Sequence, residues 1–232
     1  MAARPDIAYT VRRSNRARHI RVVVDPQAGV EVVLPPRAAE ADAAGAVVEL
    51  RPWIERRLAE HAALRARFER PPGTVPYLGA DLVLREEPGR TRVHRRGDVL
   101  LVPASGSPSA APGPEGDVLR AALERWYRRA ARAEFGPRAD AAAAALGRTV
   151  TRLTIRDQRT RWGSCTAAGA LSFNWRLLLG PQEVLDYVVW HEACHLVVMD
   201  HSPRFWALVE HHLPTYREPQ RWLRRNGAGL HL

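Results

Sequence analysis

The sequence contains no lysine, only two cysteines and two methionines, and no long hydrophobic run. Each absence excludes something. Without lysine, all 35 basic side chains are arginines, and the formal charge of +10 is carried by guanidinium groups alone. That balance is compatible with affinity for nucleic acid or another polyanion. Arginine and alanine enrichment also follows from genome composition, so a solvated basic surface is the plainer reading. The two cysteines, Cys165 and Cys194, make no disulfide framework and point to a reducing compartment. No stretch approaches the roughly 18 apolar residues of a membrane span. The start, MAARPDIAYTVRRSNR, lacks the apolar centre of a signal peptide. A cytoplasmic protein with no membrane partner is expected, and its 232 residues suffice for one good core or a catalytic region with a smaller companion.

What the chain does have is concentrated between Tyr187 and Trp206, YVVWHEACHLVVMDHSPRFW. Its centre, HEACH, is an H-E-x-x-H box. On a helix, four residues turn through about 400°, so His191 and His195 share one face and can ligate one zinc ion. Glu192 stands where a zinc hydrolase keeps the carboxylate that takes a proton from the attacking water. His201 lies on another face if the helix simply continues, since six residues advance about 600°. The sequence offers a break: Ser202 suits an N-cap and Pro203 a first turn, so the chain is expected to turn after Val198 and bring His201 back. Three histidines with an open fourth position make a catalytic rather than a structural zinc site. Cys194, about 300° round the helix from His191, reads as packing, as does Tyr187. Glu210, on the helix beyond the corner, is the alternative third ligand or a supporting group.

Around this box the pattern is mixed. YTVRRS, HIRVVVD and VEVVLP read as strands, the last two joined by the turn DPQAG. Residues 37–68 read as helix, renewed at Pro52 and stopped by Pro71-Pro72-Gly73. Residues 77–85, 91–94 and 99–103 read as strands. The Ser-, Pro- and Gly-rich stretch 104–116 is either a boundary, dividing an N-terminal strand–helix–strand region, 1–112, from a catalytic region, 113–232, or one long loop within a single compact unit. Asp117 then caps a long helix expected to be interrupted near Gly136-Pro137. After a strand at 149–156, TRWGSC and ALSFNW read as two strands around TAAG. In zinc endopeptidases an edge strand beside the metal helix often holds an extended substrate, and one of these two is the candidate. Two short helices close the chain.

The runs RWGSC, FNWRL, DYVVWHEACHL and DHSPRFW closely resemble the YgjP-like metallopeptidase family of bacterial predicted metal-dependent hydrolases, and more distantly SprT-like zinc proteases. The resemblance extends to the N-terminal strands and RPWI. It implies an α+β, zincin-like (minigluzincin-like) fold with the box helix beside a small sheet. It also implies zinc on His191, His195 and His201, with Glu192 as base. Ala193 departs from the leucine more usual in that family, which affects packing only.

The reaction expected is peptide hydrolysis, with a peptide or protein as partner. Arg159, Arg161 and Asn174 are substrate-binding candidates, and His211, His212 and Tyr216 are weaker candidates for an oxyanion donor. Two alternatives stand beside it. The same site could attack phosphorus, with Arg156, Arg159 and Arg161 on a nucleotide's phosphates, and nucleotide pyrophosphohydrolase activity has been proposed for members of that family. The other is a DNA-associated protease or binding module.

Overall fold

Alternating β-branched residues open the chain as a sheet. The structure, a computed structural model, describes residues 7–25, 28–104, 114–158 and 160–232. It falls into two compact units, Met1–Glu69 and Arg70–Leu232.

In the first unit, β1 (Tyr9–Arg13), β2 (Arg21–Asp25) and β3 (Gly29–Leu34) form a sheet of order β1-β3-β2. Strands β2 and β3 are antiparallel, while β1 runs parallel to β3. The DPQAG turn between β2 and β3 lies partly outside the described residues. The period of two sends Val30, Val32 and Leu34 to one face. There they meet Val22, Ala43, Val47 and Ile54, the last three from helices α1 (Ala41–Glu49) and α2 (Arg51–Arg67). Pro52 sits in the first turn of α2, where its missing N–H goes unnoticed.

The second unit opens with β4 (Thr74–Tyr77), β5 (Ala80–Glu87), β6 (His94–Arg96) and β7 (Val99–Pro103), in the order β4-β5-β7-β6. The single strand expected at 77–85 is instead a hairpin. Leu78 and Gly79 both take positive φ, 51° and 88°, the pattern of a tight two-residue turn, and leucine gives no hint of it in sequence. The Leu78 N–H donates to the Leu178 carbonyl at 2.8 Å, tying this sheet to the C-terminal half of the unit. These strands therefore share a unit with the region after 113. Residues 105–113, the bulk of the low-complexity stretch, lie outside the described residues.

Helix α3 (Pro114–Ala145) is followed by β8 (Arg152–Arg156), β9 (Gly163–Cys165) and β10 (Ala170–Asn174), and a 3-10 turn at Trp175–Leu179. Helices α4 (Gln182–Cys194), α5 (Pro203–His212) and α6 (Arg217–Asn226) complete the chain. The sheet order is β8-β10-β9, with β9 antiparallel to β10 and β8 parallel to it. Of the two strands weighed as the substrate edge, β10 is central and β9 is at the edge.

Two expectations about α3 are corrected. The helix starts at Pro114 rather than at Asp117, and it runs unbroken through Pro137. Proline in a helix removes one hydrogen bond and crowds the carbonyl four residues back. Packing overrides that here: Ala131, Phe135, Ala139, Ala142 and Ala143 form a buried stripe on both sides of it. Phe135 stacks on Phe173 of β10 with centroids 4.5 Å apart. Among the described residues no helix is long and apolar enough to cross a membrane.

The Phe135–Phe173 stack joins α3 to β10, the central strand of this sheet. Phe135→Ala should cost about 3–5 kcal/mol of unfolding free energy, measured by urea denaturation. A loss below about 1 kcal/mol would mean that the stack is not holding the helix on the sheet.

Candidate metal centre

Helix α4 starts after Pro181 and drives Val184, Leu185, Val188 and Val189 into the core, which fixes its rotation. The helix ends at Cys194, four residues before the expected break, with His195 as its C-cap. His195 keeps a right-handed helical backbone, φ −67° and ψ −16°, so it still lies one turn beyond His191. The chain then winds tightly, with the N–H groups of Val197 and Val198 both donating to the Cys194 carbonyl at 3.0 Å. The reversal is fastened by Asp200, whose Oδ1 accepts the Ser202 N–H at 3.1 Å. Ser202 caps α5 through its extended backbone, and its hydroxyl makes no cap bond, contrary to the usual role of such a serine. Pro203 occupies the first turn of α5.

This corner returns His201 to the helix. One nitrogen from each of His191, His195 and His201 lies within 4.8 Å of the others. The Nε2 atoms of His191 and His201 are 3.1 Å apart. Two nitrogens bound tetrahedrally to zinc at 2.0–2.1 Å would stand about 3.3–3.4 Å apart, so the pair has the spacing of ligands to one ion. His195 Nδ1 lies 2.9 Å from the Val198 carbonyl. Donating there fixes its tautomer and leaves Nε2 with a free lone pair. Phe205 of α5 stacks on His195 at 4.4 Å and meets His191 edge-on at 5.0 Å. Trp206 lies 5.8 Å from both His191 and His201.

These walls set the charge state. Burial, then the neighbouring His195 and His201, push the His191 pKa down to about 3. Burial likewise depresses His195. Both imidazoles are therefore neutral at physiological pH, as metal ligands must be. Glu192 is only 6% exposed. Burial raises its pKa to about 7, against a smaller opposing pull from Arg161.

Glu192 is also held by a contact that sequence reading missed. A Cβ added at Gly163 of β9 would stand 2.6 Å from Glu192 Cγ and Oε1. Only glycine lets the strand lie this close to the carboxylate. The available signal was a glycine inside a strand pattern, which marks close approach. Cys165, on the same strand, feels Glu192 too: burial and then that carboxylate raise its thiol to about 11.

The other sequence candidates separate clearly. Arg161 is exposed, within electrostatic reach of Glu192, and its guanidinium makes no hydrogen bond among the described residues. Asn174 is 2% exposed and occupied by its own chain. Its Nδ2 donates to the carbonyls of Gln158 (2.8 Å) and Arg161 (3.4 Å), and its Oδ1 accepts the Arg176 N–H at 3.1 Å. That carboxamide holds the loop before β9. Arg159 lies outside the described residues, and Arg156 is exposed at the end of β8. Glu210 pairs with Arg217 at 3.3 Å and is not in the histidine cluster. His212 stacks on Trp190 and Tyr216 on Trp206, while Tyr187 packs edge-on against His191. Cys194 is fully buried, as a packing residue should be.

A model of the family described as YgjP-like, metallopeptidase domain, matches residues 18–226. No curated protein and no solved structure gives a match.

The depressed His191 predicts how the metal-free protein responds to acid. Above the ordinary value of 6.5 neither folded nor unfolded His191 holds the extra proton. Below it the unfolded chain takes up the proton while the folded one resists until about 3, so stability falls across that window. Melting temperature of chelator-treated protein should drop from pH 7 to pH 4, and less steeply in His191→Leu. Parallel slopes in the two proteins would contradict the assignment.

Proposed function

Because the chain belongs to the YgjP-like metallopeptidases, a family of metal-dependent hydrolases, we propose that it is a zinc-dependent peptidase. His191, His195 and His201 are the ligands in this reading and Glu192 is the general base. The observation that carries it is the convergence of three imidazole nitrogens within 4.8 Å beside a carboxylate buried against an edge strand.

Zinc, when bound, lowers the pKa of water toward neutrality and polarises the scissile carbonyl. The chain's own groups do the rest. Glu192, with its pKa near 7, is partly ionised at neutral pH, accepts a proton from the attacking water and passes it to the leaving amine. Strand β9 has one edge on β10 and supports an extended substrate along the other by main-chain hydrogen bonds. That arrangement favours a peptide over a nucleotide. Arg161, exposed near Glu192, is suited to stabilise charge that develops on the substrate. Asn174 acts indirectly, by holding the loop that carries Arg161.

Zinc titration against a competing chelator tests the ligand set. Alanine at His191, His195 or His201 should abolish stoichiometric zinc. Glu210→Ala should cost at most the roughly 10- to 100-fold of a supporting group. Glu192→Gln should keep zinc and lose turnover on unfolded protein. Nucleoside triphosphates, assayed in parallel, should remain intact. Turnover of triphosphates that depends on Glu192, with none of peptides, would replace the peptidase reading with the nucleotide one.

A second test isolates the base. Gly163→Ala puts a methyl group where the Glu192 side chain lies, so carboxylate or strand must shift. Displacement on the order of 1 Å should lower kcat about 100-fold, with zinc affinity changed only a few-fold. Equal kcat in variant and parent would show that the position of Glu192 does not limit the reaction.

A further inference from the structure

A groove of about 560 Å³ opens beside His195. Its size is within the roughly 300–1,000 Å³ of ligand pockets. One wall is the turn between β9 and β10, another the link from α3 to β8, and the third the corner after α4 that ends at Met199. It shares His195 with the candidate metal centre and lies at the far end of the strand that starts at Gly163.

The chemistry of its walls is one-sided. Among the described residues no carboxylate lines it, and its one charged group is Arg148. Arg148 is exposed, and its guanidinium makes no hydrogen bond among the described residues. At the end of α3 the Ala143 and Ala144 carbonyls are already taken by the N–H groups of Leu146, Gly147 and Arg148 itself. Two of the threonines add donors. Thr166 Oγ1 accepts the Ala170 N–H at 3.1 Å, which leaves its own O–H to donate, and Thr149 is exposed. Thr151 already donates to the Ala168 carbonyl at 2.8 Å. A cation flanked by free hydroxyl donors, with no acid to compete, is a receptor for an oxyanion.

We propose that this groove binds a carboxylate of the peptide substrate, from an acidic side chain near the scissile bond or from the chain end, and that Arg148 reads it. The assignment rests on the peptidase reading for its choice of ligand. It makes Arg148 a specificity-determining residue, one that the box and its corner do not include.

The test uses acetylated, amidated peptides identical but for Glu, Ala or Arg at each position within three residues of the cleaved bond. A free-acid alanine set reports the chain end. With zinc-loaded protein, kcat/KM for the Glu peptides, or for the free-acid set, should exceed that of the amidated Ala peptides about fivefold, the worth of one partly exposed ion pair. Which set gains identifies the source of the carboxylate. Arg148→Glu should reverse the order and favour Arg peptides, while Arg148→Lys should keep it. Equal cleavage of all peptides, or a preference that survives Arg148→Glu, overturns the proposal. Binding of the same peptides to Glu192→Gln protein, followed by tryptophan fluorescence, separates the two readings. If wild type cleaves no peptide but Glu192→Gln binds the carboxylate-bearing ones more tightly in an Arg148-dependent way, the groove stands and the peptidase reading falls. Charge-blind or undetectable binding overturns the groove whatever the activity.

Discussion

Strand β9 lies so close to helix α4 that the Glu192 side chain occupies the space a Cβ at Gly163 would need. This contact fixes the carboxylate against main chain, which cannot swing aside as a side chain can. It also sets the distance between that carboxylate and the strand edge, and so between the carboxylate and anything aligned on that edge. Much of the surrounding structure serves to keep β9 there. The Asn174 N–H donates to the Trp162 carbonyl at 2.8 Å, extending the pairing one residue beyond β9. Trp162 in turn lies against Gly227, where a Cβ would stand 2.8 Å from its ring. Behind β10, Phe173 rests on Phe135 of α3.

The histidine cluster depends on a different constraint, the early end of α4. If the helix ran on, His201 would point elsewhere. The tight winding after Cys194 and the Asp200–Ser202 hydrogen bond reverse the chain within a few residues. Phe205 then closes the space behind His191 and His195. Such burial has a cost: His191 Nδ1 is buried without a hydrogen-bond partner among the described residues, worth about 1–3 kcal/mol against folding. On the zinc reading that cost is small beside the roughly 10–16 kcal/mol seen for zinc in small structural sites. The same burial keeps His191 and His195 neutral, so the feature that costs stability also suits these two side chains to a cation.

The parts legible in the sequence were those encoded by local spacing. His191 and His195 are four apart, and Ser-Pro announces a helix start, so the convergence of three histidines followed from geometry. What sequence did not reveal depends on partners far along the chain. Pro137 stays helical because Phe135 packs on a strand 38 residues later. Leu78 adopts a left-handed backbone beside Gly79, a conformation its side chain does not advertise. Asn174 carries the polar group of a binding residue, yet its loop consumes that group entirely. Gly163 matters only because of what stands opposite, and no single-chain pattern names the opposite residue.

The absence of lysine takes on a different sense once the arginines are placed. Several act as brackets that need the forked donor set of a guanidinium. Arg176 grips both oxygens of Asp157 and reaches the Leu230 carbonyl. Arg138 joins Glu134 to Asp186 through different nitrogens, linking α3 to α4. A single ammonium cannot span such sets. Part of the positive charge is thus structural, and net charge alone is a weak argument for nucleic acid. Arg161 and Arg148 belong to neither bracket nor ion pair among the described residues. One stands near Glu192 and the other lines the groove that His195 also lines. Arg148 meets no carboxylate among the residues that line its groove, whereas Arg161 acts on the Glu192 carboxylate. On the proposed peptidase reading, the position of these two arginines, rather than the number of arginines, sets which substrates are preferred.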